Sequence, residues 1–174
     1  QEATARLGGA LQAKGVGKGD SVIIYMPMVA EAAIAMLACA RIGAVHSVVF
    51  GGFAANELAT RIDDCTPKAI LAGSCGLEPG RIVEYKPLLD GAIELAEHKP
   101  DFTVILQRPE KNADLIAGRD FEWNAFQEGA PLADCMPMGG GGMMAMGRGM
   151  PMGAPMGGGP PMGMGMGMPM QMQM

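Results

Sequence analysis

Two glycine-bearing segments hold the residues best able to do chemistry in this 174-residue chain. One is Phe50-Gly-Gly-Phe53; the other is Gly73-Ser-Cys-Gly-Leu-Glu-Pro-Gly-Arg81. Glycines let backbone N–H groups approach an anionic ligand, and the Arg81 guanidinium is a forked cation suited to phosphate. A solvent-facing turn with an incidental arginine is equally compatible with these residues alone. Gly15-Val-Gly-Lys-Gly-Asp20 imitates a phosphate loop, but it precedes a strand instead of joining a strand to a helix. Dinucleotide and Walker loops need a helix N-terminus aimed at the phosphate, so a structural turn is expected here. Gly73-Ser-Cys-Gly76 lacks the spacing of a nucleophile elbow, and neither His46 nor His98 is placed to serve it. Asp63 and Asp64 stand before a Thr66-Pro67 breaker and read as exposed carboxylates, not a catalytic pair. No catalytic residue is nominated.

The four cysteines, Cys39, Cys65, Cys75 and Cys135, form no C-x-x-C pair and no metal-ligand spacing with either histidine. Reduced, mostly buried thiols of an intracellular protein are expected, and no metal ligands are assigned.

The segments that must position the glycine loops alternate in type. Residues 2–13 read as a helix with Leu7 and Leu11 on one face. Residues 20–25 are a β-rich run that Pro27 ends. Residues 29–42 turn Ala-rich and helical until Gly43, where a left-handed cap is expected. Residues 44–50 are a second apolar, β-branched run. Two strands buried on both faces and joined by a helix predict a right-handed, parallel βαβ crossover. A helix over residues 54–64 follows, with Ala55, Leu58 and Ile62 facing inward. A third strand is expected at 68–73, a helix from Lys86 or Pro87 to His98, and a fourth strand at 103–106. Residues 110–135 are weakly patterned, with Trp123 and Phe126 expected to anchor them to the sheet. The fold class is α/β, a partial doubly wound parallel sheet. In such sheets ligands bind beyond the carboxyl ends of the strands, which is where both glycine segments fall.

Composition breaks at residue 136. The 39 residues that follow contain 15 Met, 13 Gly and 6 Pro. Gly and Pro recur too often for regular structure, so residues 136–174 are expected to be a disordered low-complexity tail after an α/β part at 1–135. Met162 through Met174 repeats a two-residue spacing of soft thioethers, which suits Cu(I) and keeps a Met-rich metal-binding protein open as an alternative. All 18 acidic residues and 12 of the 13 basic ones precede Met136, leaving that part at −6. Such a balance argues against nucleic acid as a partner, because phosphate-backbone binding needs clustered Lys and Arg. The longest apolar region is cut by Pro27, Glu31, Arg41 and His46, short of the roughly 20 residues a membrane helix requires. The chain opens on Gln1 without a basic-plus-apolar leader, so the first residue is not expected to be the native start, and no secretory signal is read.

Residues 2–137 resemble the AMP-forming acyl-CoA synthetases. The run from Tyr25-Met-Pro-Met28 through Phe50-Gly-Gly-Phe53 is similar to the short-chain branch, the acetyl- and propionyl-CoA synthetases. Residues 74–89, His98-Lys-Pro-Asp101, Ile105-Leu-Gln-Arg-Pro109 and Gly118-Arg-Asp-Phe-Glu-Trp123 look more like the propionyl than the acetyl enzymes. The resemblance implies an N-terminal fragment of a ligase that joins a short-chain carboxylate to CoA through an acyl-adenylate, using ATP and Mg²⁺. It implies that Glu78, Pro79, Gly80 and Arg81 contact the nucleotide end of CoA, with Arg81 meeting phosphate. Gly51 and Gly52 would border the same channel. The family's Thr/Ser/Gly-rich ATP loop should follow residues 134–137, where Met/Gly/Pro sequence stands instead. ATP and Mg²⁺ sites and the catalytic lysine domain are therefore expected to be absent, and this chain inactive alone. A non-catalytic module binding CoA or a partner is the other alternative. Cytosol or mitochondrial matrix is the expected compartment.

Overall fold

Strands that are apolar on both faces need helices above and below them, and the chain supplies helices between its strands. The computed structural model describes residues 1–135. The expected tail and its copper alternative fall on residues 136–174 and lie outside the described residues.

Helix α1 (Glu2–Ala13) leads into β1 (Ser21–Met26), α2 (Ala30–Ile42) and β2 (Val45–Phe50). Then come α3 (Ala55–Cys65), β3 (Ala69–Gly73) and two short strands, β4 (Cys75–Glu78) and β5 (Arg81–Glu84). Helix α4 (Tyr85–Leu95), β6 (Phe102–Leu106), β7 (Asp120–Glu122) and α5 (Trp123–Gln127) complete the order. The main sheet runs β2-β1-β3-β6-β7, and each pairing in it is parallel. From β1 the chain steps outward to β2, then returns past β1 to β3 and onward. That reversal opens a crevice beyond the carboxyl ends of β1 and β3.

Alternation along β1 feeds two cores. Val22, Ile24 and Met26 pack with Leu7 and Leu11 of α1, Ala35 and Cys39 of α2, and Trp123 of α5. Ile23 and Tyr25 pack with Leu58 and Ile62 of α3 and with Leu89 and Ile93 of α4. Each fully buried Leu or Ile contributes about 1.5–3 kcal/mol relative to exposure. The doubly wound α/β reading thus holds, with Gly43 at φ 75° closing α2 as expected. Among the described residues no helix is long and apolar enough to cross a membrane.

Four local expectations are corrected. β2 is not buried on both faces: Val45, Val48 and Phe50 are exposed and only Val49 is buried, because β2 is an edge strand with β1 as its one neighbour. Residues 75–84 are a two-stranded hairpin and not a loop. Pro79 and Gly80 make its turn, with Gly80 at φ 80°, as the second central residue of a type II turn requires. Helix α4 stops at Leu95 instead of His98, since Ala96 leaves helical geometry and Lys99 Nζ donates to the carbonyls of Ile93, Glu94 and Ala96. The weakly patterned region yields a fifth strand, β7. Its helix α5 buries Trp123 and sets Phe126 5.6 Å from Phe102, so both aromatics anchor it.

A polar network fastens α4 to β6 and β7. Lys86 Nζ lies 2.6 Å from Asp90 Oδ2 and 3.0 Å from Asp120 Oδ2. Arg119 donates to Asp90 and, at 2.6 Å, to Asp120 Oδ1, which also accepts from the Thr103 hydroxyl at 2.7 Å. Burial alone would raise the Asp120 carboxyl, but hydrogen bonds from Arg119, the Ile116 N–H, Thr103 and Lys86 hold it well below the usual carboxylate range.

Candidate functional site

Beside this crevice, beyond the carboxyl ends of β1 and β2, lies a cavity of about 340 Å³. Pro27, Met28 and Val29, which follow β1, form one wall, and Phe50 and Gly51 at the end of β2 form another. Leu77 and Glu78 of the hairpin face them, with Tyr85 and Arg108 completing the lining. The walls are mostly apolar, with one carboxylate, one guanidinium and one phenol.

The structure brings the two nominated glycine segments together here. Glu78 Oε1 lies 3.5 Å from where a β-carbon on Gly52 would stand. The backbone N–H groups of Gly51 and Gly52 are both engaged internally: Gly51 donates to Met26 O at 3.3 Å, and Gly52 donates to the Tyr25 hydroxyl at 3.2 Å. Tyr25 in turn donates to Phe53 O at 3.1 Å, and burial pushes its phenol up to about 12. What these glycines offer a ligand is close approach, not free N–H donors. Gly51 is required sterically, since a β-carbon there would fall 2.0 Å from the Tyr85 ring.

Arg81 is not in the lining. Its side chain is 70% exposed, and it reaches back across the hairpin to Glu78, with Nε 2.8 Å and Nη2 2.6 Å from Oε2. Pro79 and Gly80 form the tip, and Gly80 has no heavy atom within 4 Å of an added β-carbon. The nominated four therefore divide: Glu78 lines the cavity, Arg81 is tethered beside it, and Pro79 and Gly80 shape the turn.

Arg108 stands out in the sequence only through the Ile105–Pro109 run, with no site role. Its guanidinium is largely buried, donating to Cys75 O at 3.1 Å and lying 3.4 Å from Glu110 Oε1. Arginine carries five N–H donors, so this cation retains capacity for a ligand. Tyr85 was likewise unmarked, and no spacing signal announces either residue.

Other candidates resolve as structure. The residue 15–20 turn lies at the amino end of β1, opposite the cavity, and Asp20 accepts from the Gly17 N–H at 2.8 Å. The Ser74 hydroxyl donates to Lys111 O at 2.7 Å and accepts from the Arg108 N–H at 2.9 Å, pinning the hairpin to the segment after β6. Asp63 accepts from the His98 N–H at 2.9 Å. All four cysteines are free; Cys39 and Cys75 are buried, Cys65 is half-buried and Cys135 is exposed, so the thiols are less uniformly buried than expected. Burial pushes the Cys39 thiol up to about 12. Among the described residues no group of three or more His, Cys, Asp or Glu side chains could hold a metal ion.

A family model described as AMP-binding enzyme matches residues 1–135. The chain belongs to this family of AMP-binding enzymes. An uncharacterized protein of Pseudomonas aeruginosa is 60% identical over 141 residues, covering 81% of this chain and 22% of that protein. The acyl-CoA synthetase short-chain family member 3, mitochondrial, of Rattus norvegicus is 51% identical over 138 residues, 79% of this chain and 20% of the rat protein. The propionate–CoA ligase of Escherichia coli is 49% identical over 117 residues, 67% of this chain and 19% of that ligase. The chain spans about one fifth of the length of the curated relatives it matches.

Proposed function

We propose that residues 1–135 form the CoA-facing part of an AMP-forming short-chain acyl-CoA synthetase, and that the cavity beyond β1 and β2 receives the nucleotide end of CoA. The observation that carries this reading is the convergence of Gly51 and Glu78 on one cavity at the carboxyl ends of the strands, with Gly52 next to Glu78. Apolar walls of Pro27, Phe50 and Leu77 suit a flat heteroaromatic base, and the arginines beside them suit phosphate. Arg81 changes partner when CoA arrives, releasing Glu78 for the phosphate that outcompetes an exposed ion pair. Gly51 and Gly52 border the channel by close approach.

In the whole enzyme the short-chain carboxylate, ATP and Mg²⁺ act through other segments, and no step of adenylation is placed on residues 1–135. The proposed organisation is an α/β part at 1–135 followed by a low-complexity segment at 136–174, in a protein of the cytosol or mitochondrial matrix. The relatives' names support the short-chain ligase assignment.

Titration calorimetry of the 174-residue chain with CoA tests the site. Binding by the wild type that weakens roughly three- to tenfold in Arg81→Ala is expected, as for loss of one charge-assisted contact. Absence of binding by the wild type would overturn the reading. With propionate, ATP and Mg²⁺ the same chain should release no pyrophosphate above background.

A further inference from the structure

The cavity holds one polar group that the fold does not use. Tyr85 is 4% exposed, and its ring packs at a tilt of 42° against Tyr25, with 5.2 Å between centroids. Two glycines lie close against it. A β-carbon on Gly51 would meet the ring at 2.0 Å, and one on Gly76 would meet the hydroxyl oxygen at 1.9 Å. Two backbone segments thus give up side chains so that one phenol can lie against them. Buried tyrosine hydroxyls usually find a hydrogen-bond partner. Tyr25 does, holding both Gly52 and Phe53, whereas the Tyr85 hydroxyl has none among the described residues. No fully buried side-chain polar atom there is left without a partner, so the Tyr85 hydroxyl opens on the cavity it lines.

We propose that Tyr85 is a specificity-determining residue of this site, its hydroxyl donating to an acceptor on the nucleotide end of CoA. The inference rests on the reading of the cavity given above. Burial first, and the neighbouring Glu78 carboxylate second, raise the Tyr85 phenol, so it stays protonated and able to donate at neutral pH. The largely buried Arg108 guanidinium lines the same cavity, and the two donors together favour an electron-rich acceptor over an apolar group. Gly76, which lies in the Gly73–Arg81 segment but not among the positions assigned to CoA, acquires a role as the residue that admits the phenol.

Calorimetry of the full 174-residue chain and its Tyr85→Phe variant, each titrated with CoA and with adenosine 3′,5′-bisphosphate, tests the proposal. The ring remains in the variant, so only the hydroxyl is removed, and the thermal midpoint should stay within about 2 °C of wild type. Affinity for both ligands should fall by roughly the same factor, about five- to tenfold. Equal CoA affinity in wild type and variant overturns the role of Tyr85 and leaves the site reading standing. A loss for CoA without one for the bisphosphate overturns the assignment to the nucleotide end. Failure of the wild type to bind CoA overturns the site reading and this inference with it. A second readout uses fluorotyrosine: with two tyrosines in the chain, CoA should move the Tyr85 resonance, and an unmoved signal counts against contact.

Discussion

Tyr85 and Lys86 are neighbours in sequence and begin the same helix, yet they serve opposite purposes. Tyr85 turns to the cavity between β2 and the hairpin and leaves its hydroxyl without a partner in the fold. Lys86 turns to a second cavity of about 400 Å³, where it is buried against Asp90 and Asp120. On the Lys86 side Lys86, Asp90, Arg119 and Asp120 are all paired with one another, and Thr103 and the Ile116 N–H satisfy the remaining Asp120 carboxylate oxygens. A satisfied buried network holds structure together; an unsatisfied donor in an apolar-walled crevice is available to a ligand. Volume does not separate the two cavities, but the partners of the two neighbouring side chains that enter them do.

The largest effect belongs to the Lys86 side. Asp120→Ala leaves Lys86 buried with a weakened partner set and should cost about 3–5 kcal/mol of unfolding free energy in urea titrations. CoA binding by the folded fraction should be unchanged, and a variant that lost binding while keeping stability would invert the roles assigned to the two cavities. The network also gives a pH signature. The folded Asp120 carboxyl lies below its unfolded value of about 3.9, so its stabilisation is complete above that pH and is lost as pH falls toward the folded value. The stability gap between wild type and Asp120→Ala should therefore narrow below about pH 4.

Next comes Gly76→Ala. The added methyl would stand 1.9 Å from the Tyr85 hydroxyl, and Gly51 already lies close against the same ring. Overpacking of this kind costs about 1–3 kcal/mol, and displacement of the ring should weaken CoA binding at least as much as Tyr85→Phe does. Wild-type affinity in Gly76→Ala would mean that the ring's position does not matter to the ligand.

A smaller effect concerns the two tyrosines themselves. Both phenols are raised, Tyr25 to about 12, so the native state resists ionisation while the unfolded chain ionises near pH 10. Stability present below about pH 10 should thus decline as pH rises toward 12. Phenolate absorbance should show no step near pH 10 in the native chain. In Tyr25→Phe a step that remains high would isolate the Tyr85 contribution, and a normal step there would contradict its burial.

The sheet was more legible in the sequence than the cavity. β1, β3 and β6 fall within a residue of the apolar runs that mark them, and α1 matches its run, because each is decided by local pattern. β2 shows where that logic stops: Val45, Val48 and Phe50 form an apolar run like any buried strand, and only the sheet order reveals an edge. The hairpin had a signal, Pro79-Gly80 between two short β-prone runs, that was outweighed by the glycines around it. Lys86 with Asp120, and Tyr85 with Gly51, meet across more than 30 positions and leave no periodic trace in the sequence. Resemblance located Glu78 and Arg81, but it did not separate the residue that lines the cavity from the one tethered outside it.

The smallest predicted effect tests that separation. Arg81 and Glu78 form an exposed pair, and such pairs contribute about 0–1 kcal/mol, so Arg81→Ala should leave unfolding free energy almost unchanged. Glu78→Gln should be equally silent in stability. The two variants must differ in binding if Glu78 is only a tether: Arg81→Ala weakens CoA by removing a cation, whereas Glu78→Gln frees Arg81 and removes a negative charge from the cavity wall, and so should tighten it. Weaker CoA binding in Glu78→Gln would show that the carboxylate itself accepts from the ligand, and the Glu78 side of the cavity would then join Tyr85 as a direct contact.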